Sequence, residues 1–183
     1  IYRTYGAEVT IVELLPRLVP LEDEEISRQL ERAFTKQGIK AMTGAGVQGI
    51  AVNGGVATVT VSSDGVESVI ECDKVLVAVG VQGNVENIGL EEAGVETERG
   101  FIRIDDLMAT NVDGIYAIGD VTGKMLLAHV ASAQGVTAVE GIAGRNPPKL
   151  DYGLMPRAIY CRPQVASFGL TEAQARELGH DVN

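Results

Sequence analysis

The run ATNVDGIYAIGD at residues 109–120, followed by LLAH at residues 126–129, constrains this chain more than any other stretch. It reads as a tight turn, a short apolar strand over residues 115–118, and a Gly-Asp pair at the strand's carboxyl end. A helix opens a few residues later. That order places one carboxylate and one helix N-terminus beyond the end of a strand, where open α/β sheets bind their cofactors. Asp120 can accept hydrogen bonds from sugar-alcohol hydroxyls. Gly119 removes a side chain where a ligand comes close to the backbone. The helix N-terminus offers free N–H groups and partial positive charge to an electron-rich atom. For Asp120 the alternative to ligand binding is a plain helix cap.

The rest of the chain is consistent with α/β architecture. Residues 9–12 read as an apolar strand, and acidic residues 22–25 open a helix in which Ile26, Leu30, Ala33 and Phe34 recur at helical spacing and would face the core. Three β-branched runs at residues 47–52, 56–61 and 66–72 are separated by Asn-Gly-Gly and Ser-Asp-Gly turns, which predicts an antiparallel meander. Residues 73–80 are a continuous apolar run ending in glycine, the pattern of a parallel strand buried on both faces. Residues 101–104 read as another short strand. Residues 128–143 predict a helix of small residues, closely packed on a neighbour. Antiparallel-type strands follow from Met155, and Thr171 with Gln174 forms a capping box for a last short helix.

Composition excludes several classes. The net charge is −10, and aromatics are only 4% of residues, so neither nucleic acid nor an anionic membrane surface is an expected partner. No apolar run reaches the ~18 residues of a membrane span, and no signal peptide is seen. The two cysteines, Cys72 and Cys161, lack C-x-x-C spacing and read as reduced thiols of a cytoplasmic protein. The chain opens at Ile1 with what reads as the last turn of a helix, closed by Gly6. It is therefore expected to be an internal piece of something longer, with apolar surface left uncovered and a tendency to aggregate or swap.

Residues 110–129 resemble the second flavin-contacting motif of the flavoprotein disulfide reductases, the pyridine nucleotide-disulfide oxidoreductase family. GAEVTIVE at residues 6–13, VLVAVG at residues 75–80 and RAIYCRPQVASFGLTE at residues 157–172 extend the resemblance over essentially the whole chain. It lies nearest the dihydrolipoamide-oxidising branch. The fold so implied is α/β. Residues 1–81 would be a partial NAD-binding Rossmann-like domain with an antiparallel β-meander, lacking its first strand and glycine motif. Residues 82–150 would be the return segment of the FAD-binding domain. Residues 151–183 would start an α+β dimerisation domain.

The resemblance also implies site residues. Glu13 would take the ribose hydroxyls of NAD and repel a 2′-phosphate, while Arg17 nearby is a group that tolerates one. The Val47 backbone would lie near the adenine, and Gly80 would let the backbone approach the NAD. The loop that follows, Val81-Gln82-Gly83-Asn84, departs from the basic pair and proline of many members. Asp120 would bind the ribityl chain of FAD. Leu126, Leu127, Ala128 and His129 would run along the flavin ring through their backbone, with His129 a structural, flavin-edge residue.

The implied reaction passes electrons from protein-bound dihydrolipoyl groups through a redox disulfide and FAD to NAD+. Its partners would be the lipoyl domain of a 2-oxo acid dehydrogenase or glycine cleavage complex, and a second copy in a homodimer. The family's Cys-x-x-x-x-Cys segment and His-Glu pair are absent from these residues, so the chain alone is expected to be inactive. The alternatives are a piece of a sister enzyme (mercuric reductase, soluble transhydrogenase or glutathione reductase) and a non-catalytic nucleotide-binding module.

Overall fold

A computed structural model describes residues 1–182. The chain forms two compact units, one of Ile1–Val77 together with the chain from Ala158 onward, the other of Ala78–Arg157.

In the first unit a 3-10 turn, Tyr2–Tyr5, ends at Gly6 in the left-handed region. Strand β1 (Val9–Val12) pairs in parallel with β2 (Ile39–Met42), and helix α1 (Glu24–Lys36) connects them. The meander follows as β3 (Ala45–Asn53), β4 (Val56–Ser63) and β5 (Val66–Cys72), antiparallel throughout. Its two hairpins turn on Gly54-Gly55 and Asp64-Gly65, all four at positive φ. Both central residues of a two-residue turn need that conformation to match the twist of the strands, and the sequence supplies residues that tolerate it. β4 alternates as expected of a half-buried strand: Ala57, Val59 and Val61 are buried, while Thr58 and Thr60 are only partly covered. Val61 and Val59 join Ala45 in a core onto which Val12, Met42, Ile70 and Cys72 pack.

Helix α1 departs from its expected face. Leu30 is buried, and Ala33 and Phe34 are partly covered, but Ile26 is 37% exposed. The inward position goes instead to Ser27, which is fully buried and donates its hydroxyl to the Leu18 carbonyl. A polar anchor for the preceding loop has displaced the apolar residue beside it.

In the second unit β6 (Thr97–Glu98) and β7 (Phe101–Ile102) form a small hairpin. Val95, Ile102 and Ala117 centre its core, with Val85, Leu90, Ile104, Val112, Ile115 and Val121 around them. A 3-10 turn over Gly119–Thr122 precedes helix α2 (Ala128–Ile142). The glycines of α2 do sit close to a neighbour: a methyl at Gly135 would touch Ile118 at 3.4 Å. Two expected strands are corrected. Residues 73–80 form no strand, and Val77 and Val79 are 67% and 93% exposed. Residues 115–118 form no strand either, making a single bridge from Ala109 to Tyr116. A strand forms only beside a neighbour that takes its backbone N–H and C=O groups. Among the described residues β1 and β2 make the only parallel pair, so neither segment has such a neighbour.

After α2 the chain makes paired strands β8 (Arg157–Ile159) and β9 (Val165–Ser167), then helix α3 (Glu172–Glu177). The capping box forms as read, with Thr171 and Gln174 each bonding the other's backbone N–H. Within the first unit the Glu172 N–H at the start of this helix donates to Asp23 Oδ1 at 2.7 Å, just ahead of α1.

Candidate cofactor half-sites

In the first unit Glu13 stands directly after β1. Its N–H donates to the Met42 carbonyl at 2.8 Å, and its carbonyl accepts from the Ala45 N–H at 3.0 Å. The β-ladder therefore fixes the backbone and joins it to the start of β3, two residues before Val47. Glu13 Oε1 accepts the Leu15 N–H at 2.8 Å. That bond orients the carboxylate and leaves Oε2 available to a hydroxyl donor. Val47 is 49% exposed, beside fully buried Val61, where the register slips by one residue. The loop after Glu13 is pinned to α1: Glu31 Oε1 accepts the Leu18 N–H at 3.0 Å, and Ser27 holds the Leu18 and Val19 carbonyls. Arg17 donates to the Pro20 carbonyl at 3.1 Å, while its buried Nε has no partner among the described residues.

The second unit holds the remaining positions singled out in the sequence. Gly80 has φ 125°, and a methyl there would meet nothing within 4 Å, so its backbone is open to close approach. Gly119 has φ 78°, a conformation that favours glycine, and a methyl there would reach the Ala131 side chain at 3.5 Å. Asp120 follows with an exposed side chain that accepts no hydrogen bond among the described residues. It is no cap either: Ile118 and Leu127 occupy the cap positions of the turn and of α2, and neither end has a side-chain cap. A free carboxylate thus lies shortly before an uncapped helix N-terminus. An accepting carboxylate with donating N–H groups beyond it fits a polyhydroxylated ligand that also carries an electron-rich group. Leu126 and Ala128 are exposed and Leu127, in extended conformation, is half-covered where the chain enters α2. His129 Nε2 lies 2.9 Å from the Pro156 carbonyl.

Sequence reasoning missed the group that holds this turn. Gln134 is 1% exposed and its Oε1 accepts the Gly119 N–H at 2.6 Å. Its Nε2 donates to Tyr152 Oη at 3.0 Å and, at 3.4 Å, to Thr122 Oγ1, which donates to the Gly119 carbonyl at 2.8 Å. A lone amide in a helix otherwise rich in alanine, glycine and valine was the available signal. Gly123, also missed, has φ 65° and lies under the Phe101 ring. No group of three metal-ligating side chains occurs among the described residues, and no helix there is long and apolar enough to cross a membrane.

Comparison with known proteins matches residues 1–135 to the family described as pyridine nucleotide-disulphide oxidoreductase. Curated relatives named dihydrolipoyl dehydrogenase match along the full chain, at 54% identity in Mycobacterium leprae and 52% in Mycobacterium tuberculosis. One from Chlorobaculum parvum is 50% identical over 99% of the chain. The chain spans 39%, 40% and 39% of the lengths of these three relatives. Among solved structures, LpdA from Mycobacterium tuberculosis superposes with a TM-score of 0.87 at 28% identity, covering 96% of this chain and 38% of that one. The HOCl-induced flavoprotein disulfide reductase RclA from Escherichia coli gives 0.86 at 28% identity, covering 100% of this chain and 41% of that one.

Proposed function

This chain belongs to the pyridine nucleotide-disulphide oxidoreductase family, and we propose from that premise that it supplies two cofactor half-sites of a dihydrolipoyl dehydrogenase. The whole protein reoxidises protein-bound dihydrolipoyl groups of a 2-oxo acid dehydrogenase or glycine cleavage complex. Electrons pass through a redox disulfide and FAD to NAD+. Relatives of that name at about half identity support this reading over the sister reductases and over a module without catalysis.

The observation that carries the proposal is the Gly119-Asp120 turn, with its unpartnered carboxylate ahead of the uncapped N-terminus of α2. Asp120 binds the ribityl hydroxyls of FAD, and the backbone of Leu126, Leu127 and Ala128 follows the ring. His129, held at Pro156, stays at the flavin edge. Glu13 takes the ribose of NAD and disfavours a 2′-phosphate, with the Val47 and Gly80 backbones completing the nucleotide contacts. When bound, the flavin carries electron pairs between dithiol and nicotinamide. The task of these residues is to bind and orient.

In this reading residues 1–81 serve NAD, residues 82–150 return to the flavin domain, and residues 151–183 begin the interface of a cytoplasmic homodimer. Neither Cys72 nor Cys161 stands in a Cys-x-x-x-x-Cys segment. The 183-residue chain alone therefore forms no NADH from dihydrolipoamide and NAD+, whereas the purified whole protein is yellow and does. Turnover by the isolated chain, or a colourless, flavin-free whole protein, contradicts the proposal.

A further inference from the structure

We infer that Gln134 is the positioning residue of the Asp120 turn, acting from inside α2 to set where the carboxylate stands. The inference rests on the reading of that turn as a flavin contact. The segment before the turn has only the Ala109–Tyr116 bridge, so no β-ladder continues to hold Gly119. One buried amide does so instead. Its Oε1 takes the Gly119 N–H, and its Nε2 bonds Thr122, whose hydroxyl returns to the Gly119 carbonyl. Both ends of the four-residue turn that carries Asp120 are thus referred to a single side chain. Tyr152 Oη accepts the second Nε2 hydrogen and fixes the amide's orientation. Both Nε2 hydrogens and one lone pair of Oε1 are used, and breaking a buried network of this kind is costly. The turn therefore has one low-energy position relative to the N-terminus of α2. A carboxylate and a helix end that must meet one ligand need that fixed relation, since small misplacements of binding groups are expensive.

The test is made in the whole protein. FAD dissociation constants are measured by adding FAD back to apoprotein, and the visible circular dichroism of the bound flavin is recorded. Gln134→Met, which keeps the volume and removes the amide, is expected to weaken FAD about tenfold and to change the flavin dichroism. Ala138→Gly, one turn further along α2 at a site 5% exposed, is the control for lost helix stability and is expected to change neither by more than about twofold. Equal effects of the two substitutions overturn the inference. Asp120→Ala, measured in parallel, separates the two claims. If it weakens FAD and Gln134→Met does not, only the positioning role falls. If neither weakens FAD, the flavin reading of the turn falls as well. Should Gln134→Met fail to fold, Tyr152→Phe removes only the outer acceptor, and about a threefold loss of FAD affinity is expected. No loss there overturns the inference.

Discussion

Glu13 and Asp120 are both carboxylates placed beyond an extended apolar run, yet the chain holds them by different means. Glu13 sits in a ladder. Its own N–H and carbonyl are taken by Met42 and Ala45, and its side chain is steadied by the Leu15 N–H. Asp120 has no ladder and no local bond to its carboxylate. The backbone of its neighbour Gly119 is held instead by side chains 3 and 15 positions further along, at Thr122 and Gln134. The difference shows two ways of holding a carboxylate in place. The backbone must be immobilised, and either sheet pairing or a buried side-chain network will do that.

The contrast can be broken hardest at Gly123, just past the Asp120 turn. A methyl there would lie 2.5 Å from Phe101 Cγ, on a backbone at φ 65° that disfavours any other residue. Gly123→Ala is expected to cost about 3 kcal/mol, combining overpacking with left-handed strain. A urea melt of the whole protein checks this; an unchanged midpoint would contradict it. On the Glu13 side the corresponding substitution is Ser27→Ala. It leaves the buried Leu18 carbonyl without its hydroxyl donor and should cost about 1.5 kcal/mol. Because the ladder still holds Glu13, the Michaelis constant for NAD+ should shift less than about threefold. A tenfold shift would mean that the loop, and not the ladder, sets the Glu13 position. The smallest effect is expected at Thr171→Ala, which removes the cap of α3 for about 1 kcal/mol. It should leave both cofactor affinities unchanged, and a loss of either would extend the comparison to the C-terminal segment.

How legible these features were depended on how local their causes are. The meander could be read because turn chemistry and alternation within each strand decide it, as Asn53-Gly54-Gly55 and Ser63-Asp64-Gly65 illustrate. The capping box at Thr171 and the start of α2 at Ala128 were legible for the same reason. The run at residues 73–80 was misread because an apolar run becomes a buried strand only beside partners, and these lie outside its own sequence. Ile26 was placed inward on period alone, where a tertiary bond from Ser27 decided the rotation of α1. At the candidate sites the carboxylates and glycines stood out by type and spacing. Gln134 did not, because its role appears only when α2 is laid against Gly119. Resemblance to a known family carried the step from strand-end carboxylate to named cofactor, which spacing alone does not reach.

The most direct test is a crossed titration in the whole protein, with Asp120→Ala and Glu13→Ala each measured for FAD affinity and for the Michaelis constant of NAD+. Loss of charge-assisted hydrogen bonds to ligand hydroxyls is worth about 1.5–3 kcal/mol. Asp120→Ala should therefore weaken FAD about 10- to 100-fold with little change toward NAD+, and Glu13→Ala should raise the NAD+ constant about tenfold with FAD retained. An Asp120→Ala protein that keeps its flavin as tightly as the parent would contradict the account.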